Sequence, residues 1–409
     1  MSEKLTVKNV VNINKSTLSS KENWSTLKYL DTGNITENQI DTLQIFQKGE
    51  KLPSRAKRKV EKGTIIYSTV RPNQKHFGYF DTYSDDLVVS TGFATLDVID
   101  PRVNSKYLYY LLTQNSVISQ LQSIGENSTS SYPSIRPEDI GNLSFMFPDI
   151  DIQNKIADIL TSIDKKIQIN NQINQELEAM AKTLYDYWFV QFDFPDQNGK
   201  PYKSSSGKMV YNPELKREIP EGWGVEKLGD ISQYVSEKVG SSELNKENYV
   251  GTDNMIADMG GIELTTSIPK SGTSTKFSVG DILISNIRPY FKKIWLSDRT
   301  GGCSADVLCI RTNRIIPKEF VYATLARDDF FNYDVAGSKG SKMPRGDKKH
   351  IMEYPIVFEF GVAEQYSKIV RPIYEAVHEN NNQNQELTQL RDWLLPMLMN
   401  GQVKVEKRK

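Results

Sequence analysis

An internal duplication constrains this chain more than any other feature, because a pattern repeated in order along a chain builds the same supersecondary unit twice. Residues Lys62 to Pro72 match Val279 to Pro289, a shift of 217 between Gly63 and Gly280. Each copy holds a turn glycine, an apolar run of strand length and an Arg-Pro pair, Arg71-Pro72 or Arg288-Pro289. Upstream, Tyr29 to Ile35 resembles Tyr249 to Met255, and downstream Tyr107 to Tyr109 resembles Phe320 to Tyr322. The shift drifts as loop insertions would make it. Each copy reads as short strands, a brief helix near 104–122 or 317–332 and a Ser/Gly/Lys-rich loop at 128–132 or 338–345. A long helical pattern closes it, at about 152–189 and again at about 362–395. The expected fold class is α+β, with two similar domains at 1–148 and 223–360, long helices at 149–192 and 361–409, and a connector at 193–222 rich in Pro, Ser and Asn-Gly.

The long helices share one seam. Ile156, Leu160, Ile163, Ile167, Asn170, Asn174, Leu177, Ala181, Leu184 and Trp188 are spaced alternately by four and three, as in a coiled coil. Adding 210 gives Tyr366, Val370, Ile373, Val377, Asn380, Asn384, Leu387, Arg391, Leu394 and Leu398. Antiparallel packing about a pseudo-twofold would set Asn170 against Asn384 and Asn174 against Asn380, polar layers that favour one register. The alternative is that these asparagines flare toward solvent. Pro372 marks a kink or a new first turn, and Pro396 limits the helix. About 30 straight residues span about 45 Å, or about 13 base pairs.

Chemistry is absent from the sequence. Three scattered histidines, His76, His350 and His378, and two cysteines, Cys303 and Cys309, placed in one strand, form no metal-ligand set. No phosphate loop, dinucleotide turn or Asn-Pro-Pro-Tyr type segment occurs. The Asp-x-Lys fragments at Asp164 and Asp347 read as solvated charges. No apolar signal core and no stretch of roughly 20 apolar residues is present, so a cytoplasmic location without a membrane partner is expected.

With 51 basic and 51 acidic residues, any attraction to nucleic acid must be local. Basic and polar residues do cluster at matching places. In the first copy Arg55, Lys57, Arg58 and Lys59 precede the apolar run, and Arg71, Asn73, Gln74 and Lys75 follow it. In the second, Lys270, Ser271, Thr273 and Lys276 precede it, and Arg288, Tyr290, Lys292 and Lys293 follow. A further loop adds Ser130 and Tyr132 in one copy, and Lys339, Ser341, Lys342 and Arg345 in the other. Lys and Arg neutralise phosphates while Arg, Asn, Gln and Ser pair with base edges, so two domains reading different double-stranded DNA targets are expected. Arg71 and Arg288 suit a structural ion pair equally well.

The connector from Phe192-Asp193-Phe194-Pro195 through Asn198-Gly199-Lys200-Pro201-Tyr202, then Gly207-Lys208-Met209-Val210 and Ile219-Pro220-Glu221-Gly222-Trp223, resembles the specificity subunit of type I restriction-modification systems. The resemblance spans nearly the whole chain. The family's Gln-x-x-Ile helix opening is seen at Gln153 to Ile156, while the second copy, Glu364 to Ile369, has one residue more. The resemblance implies a non-catalytic subunit with two target recognition domains reading a split, asymmetric DNA site, and helices that act as spacer and dock partners. Two modification subunits would bring S-adenosylmethionine and methylate adenine N6. Restriction subunits would add ATP- and magnesium-dependent translocation and cleavage. No cofactor is expected on this chain. The rival reading is a helical protein-binding scaffold that never touches DNA.

Overall fold

The computed structural model describes residues 3–19, 22–82, 85–128, 132–340 and 342–403. The chain divides into two compact units, Met1–Gln168 with Asn384–Lys409, and Ile169–Gln383.

In the first unit an antiparallel sheet runs in the order Val11–Ile13, Phe93–Val98, Ile65–Ser68, Phe77–Tyr79. A second sheet runs Gln44–Gln47, Thr26–Leu30, Leu87–Ser90, Ala56–Lys59, and its middle pair is parallel. The second unit repeats this plan. Ser232–Tyr234, Val307–Thr312, Ile282–Ser285 and Ile294–Leu296 form its first sheet. Tyr249–Val250, Gly301–Cys303 and Thr273–Phe277 form a second sheet, again with a parallel pair, and Lys238–Gly240 lies on the edge opposite to that used in the first unit. The registers coincide as well. Val88 lies between Tyr29 and Lys59, and Gly302 between Tyr249 and Lys276. The shift between copies falls from 221 at Glu3 and Gly224 to 210 at Ile150 and Phe360, so the loops of the second copy are shorter.

The apolar runs resist simple alternation because both faces are buried. Ile65 and Tyr67 join one core while Ile66 joins another. Ile282 and Ile284 face one cluster and Leu283 the other. Gly63 and Gly280 open these strands at φ +91° and +90°, a conformation that glycine adopts without a Cβ penalty. The single brief helix expected in each copy is two: Ser105–Leu112 with Asn115–Glu126, and Lys318–Leu325 with Asp328–Gly337. Cys303 and Cys309 sit on separate strands, both buried and unpaired by disulfide.

The long helices are Ile150–Tyr185, continued by a π-helical turn at Asp186–Val190, and Phe360–Met399. The second starts at Phe360, where the Glu359 carboxylate accepts from the N–H groups of Gly361 and Val362. It runs unbroken through Pro372, whose ring is exposed, and through Pro396. All twenty seam positions are buried or half-buried. Within the second unit Asn174 donates to Asn381 and accepts from Asn380, both at 2.8 Å, and Asn170 donates to Gln383. The Tyr366 hydroxyl donates to the Ala181 carbonyl, so the segments there run antiparallel. Within the first unit Ile156 and Leu160 share a core with Leu398, and Arg391 fills its seam place by pairing with Asp164 at 3.2 Å and Glu37 at 3.4 Å. Asp164, which also accepts from the Tyr110 hydroxyl at 2.6 Å, is therefore not the solvated charge expected.

The connector is folded onto the second unit. Phe194 stacks on Tyr202 and lies 4.9 Å from Trp223, while Met209–Asn212 and Arg217–Pro220 form a hairpin. Asn174→Ala strands the Asn380 amide in the seam and is expected to cost about 1–3 kcal/mol, read from the midpoint of urea unfolding. Ile173→Ala, one residue away on an exposed position, is expected to stay within about 0.5 kcal/mol.

Candidate nucleic-acid interface

The buried strand of each unit ends in the same turn. Arg71 and Arg288 stand in the left-handed region at φ +49° and +51°, each followed by Pro and a short 3-10 turn, Pro72–Gln74 or Pro289–Phe291. Lys75 and Lys292 close these turns, also left-handed. Each arginine is held through its backbone: its N–H donates to Pro133 or Pro344 at 2.8 Å. Val70 then bridges Ser134, and Ile287 bridges Arg345. An arginine in a left-handed conformation is unusual and persists where surrounding contacts impose it.

The side chains divide by charge pairing. Lys75 pairs with Glu37 at 2.5 Å and Lys292 with Asp328 at 2.7 Å. Arg71 and Arg288 form no ion pair among the described residues, so the structural ion pair considered for them is not made. The Arg71 guanidinium instead lies 4.4 Å from the centroid of the Tyr132 ring, and Arg288 Nε is buried without an acceptor.

Around the first turn, the Thr69 N–H donates to the Gly92 carbonyl and the Thr91 N–H to that of Arg55, so the basic strand and the Arg-Pro turn meet at residues 90–92. Arg55 and Lys57 are exposed. Arg58 is half-buried, its Nε has no acceptor, and burial holds its guanidinium below the ordinary value. Lys59 is tied to Glu22 at 2.8 Å. The side chains of Asn73 and Gln74 are exposed at the tip, where the Asn73 N–H donates to Gln122.

In the second unit Asn286 plays the part of Thr69, its N–H donating to Asp306. Tyr290 and Phe291 are exposed and lie 4.8 Å apart, and Lys293 donates to the Thr252 carbonyl. Lys270, Ser271 and Thr273 are exposed, and Lys276 is half-buried. The loop at 338–346 folds back through mutual hydrogen bonds of Lys339 and Arg345. Lys339 pairs with Asp347 and Arg345 with Asp306, while Lys342 is exposed. Asp347 is thus a partnered cap, its carboxyl lowered to about 2 by Lys339 and by the N–H groups of His350 and Lys349. Ser130 and Ser341 lie outside the described residues. Sequence reasoning had no signal for the pairing that neutralises Lys59, Lys75, Lys292 and Arg345, because their carboxylates come from distant positions, while the Lys339 partner, Asp347, lies eight residues on.

Beneath this loop lies a buried acidic spot. Both carboxylate oxygens of Asp334 and the Asn286 Oδ1 are buried without hydrogen-bond partners. A Cβ on Gly346 would stand 2.4 Å from Asp334 Oδ1 and 2.9 Å from Asn286 Oδ1, so a side chain there would force these two groups to move. Burial raises the Asp334 carboxyl to about 6, against a weaker opposing pull from His350.

Residues 2–179 match the type I restriction modification DNA specificity domain. The matched stretch includes the first Arg-Pro turn, Arg71-Pro72. The chain is 27% identical to the type I restriction enzyme HindI specificity subunit of Haemophilus influenzae, over 92% of this chain and 94% of that one. It is 26% identical to the MjaIX specificity subunit of Methanocaldococcus jannaschii, over 93% and 84%. Along most of its length it is thus similar to specificity subunits of type I restriction-modification systems. The crystal structure of the type I system S subunit from M. genitalium shares its fold, with a TM-score of 0.52 at 15% identity over 99% of this chain and 97% of that one.

Because folded Asp334 holds its proton more tightly than the unfolded chain does, stability falls as pH rises from about 4 to about 6 and stays lower above that. Asp334→Asn is expected to remove this slope and raise stability at pH 7 by about 2–3 kcal/mol, measured by urea unfolding at pH 5 and pH 7.

Proposed function

We propose that this chain is the DNA-reading subunit of a type I restriction-modification assembly, each unit reading one part of a split, asymmetric site. The reading rests above all on one observation. Two domains that share their central strands and register present the same turn, with an arginine that has no ion-pair partner among the described residues, amid different neighbours. Same scaffold with different surfaces is what two readers of different half-sites need. The long helices would act as the spacer, setting the distance between half-sites by their length. The chain would supply recognition, and chemistry would come from others: two modification subunits carrying S-adenosylmethionine to methylate adenine N6, and restriction subunits carrying ATP and magnesium. Among the described residues no group of acidic, histidine or cysteine side chains is arranged to hold a metal ion, and no helix is long and apolar enough to cross a membrane.

Protein partners are supported by the first long helix itself. Ile152, Ile159, Ile173, Met180 and Tyr187 recur at multiples of seven and are 36–59% exposed, a stripe beside the packed seam. An apolar stripe of this kind calls for a covering surface.

Mapping methylated adenines after expression with the modification partner is expected to give a two-part motif, and exchanging residues 1–148 for another recognition domain should change one part alone. A motif altered in both parts, or none, refutes the reading. Ile173→Asp with Met180→Asp should leave the unfolding midpoint of the isolated chain unchanged and lower co-purification of the modification partner at least tenfold; equal co-purification would remove the stripe from the interface.

A further inference from the structure

Because the two halves are copies on one scaffold, whatever they share at the interface must contact what two different half-sites share, and whatever they have exchanged must contact what differs. Two half-sites of unlike sequence have the sugar-phosphate backbone in common. On the DNA-reading role proposed above, we infer that Arg71 and Arg288 are phosphate anchors, and that the turn-tip pairs Asn73-Gln74 and Tyr290-Phe291 are the base-reading positions.

The shared part of the turn is small. Arg71 and Arg288 take the same left-handed backbone, the same hydrogen bond to a loop proline carbonyl and the same following proline. The other shared cation, Lys75 or Lys292, is already spent on a carboxylate in each unit. That leaves the arginine as the shared charge without an acid partner among the described residues, and in the second unit its Nε is buried without an acceptor. A buried donor of this kind is costly unless a ligand supplies the acceptor, and a phosphate oxygen does so while matching the positive charge.

The exchanged part sits one and two residues beyond the proline. Asn73 and Gln74 are polar and exposed, suited to the paired donor and acceptor on the major-groove edge of adenine. Tyr290 and Phe291 form an exposed ring pair, suited to apolar contact with a thymine methyl or to a wedge between base steps. The residue before the loop proline also differs, Tyr132 in one copy, where its ring lies under the Arg71 guanidinium, and Met343 in the other.

The test uses the chain assembled with its modification subunits, a duplex carrying the mapped methylation motif, and duplexes with either half scrambled, titrated by fluorescence anisotropy from 50 to 300 mM potassium chloride. For Arg71→Gln the slope of log affinity against log salt should shrink by about 0.9, the release of one phosphate contact, with discrimination between matched and scrambled first halves unchanged. Arg71→Lys should keep the slope. Asn73→Ala with Gln74→Ala should lower first-half discrimination about 5- to 150-fold at unchanged slope, leaving second-half discrimination as in wild type. Thermal melting checks that each variant is folded. If Arg71→Gln erodes first-half discrimination at unchanged slope, or if the tip variant discriminates like wild type, the assignment is overturned while the DNA-reading role stands. If the wild-type assembly prefers no sequence, that role fails and takes the assignment with it.

Discussion

Everything at the candidate interface depends on a strand buried on both faces. Ile65–Ser68 and Ile282–Ser285 are each sandwiched between two clusters, so neither can slide or twist without opening a core on one side. A strand fixed this firmly delivers its last residue to a defined point, and the next residues are the Arg-Pro turn. The turn is then locked from outside by the loop proline carbonyls. Rigid strand, imposed left-handed arginine and exposed tip together form an inflexible pointer, which is what fine discrimination between base pairs requires.

The duplication, the α+β class and the helix seam were legible in the sequence because each is a matter of spacing. Turn glycines, a strand-length apolar run and a four-three repeat are local signals, and Gly63, Gly280 and the seam residues behave as their spacing requires. The pairing of charges was not legible. Asp164 with Lys165 and Lys166 looks like any solvated run, yet its partners are Arg391 and Tyr110, brought together only by the fold. Arg391, the one charged residue among the seam positions, gives no sign of that pairing in the sequence either. The connector shows the opposite case: its prolines and Asn-Gly mark turns correctly, while its aromatic residues Phe194, Tyr202 and Trp223 report the packing that makes it part of a folded unit. The two-helix pattern inside each copy was missed because Thr113 and Arg327 interrupt the helix without a glycine or proline to announce the break.

The two copies have diverged mainly where they meet solvent. The central strand registers are kept apart from a bulge at Val89/Ser90 in the first copy, while edge strands, loop lengths and turn tips have changed. Asp334 with Gly346 shows that divergence reaches one layer deeper under the second loop. There a carboxyl and an amide oxygen crowd a position that in the first copy is occupied by Ile135, whose N–H donates to Thr69 as that of Gly346 does to Asn286. One half has an apolar support and the other an ionisable one.

The carboxylates that hold Lys59, Lys75, Lys292, Lys339 and Arg345 bear on how such a molecule would search a genome. A cation already matched by its neighbour adds little to long-range pull on a polyanion, so a reader built this way is weakly attracted to random duplex and leaves it quickly. What it forgoes in capture rate it regains in contrast, since a target is found by the ratio between correct and incorrect binding and the incorrect term is kept small.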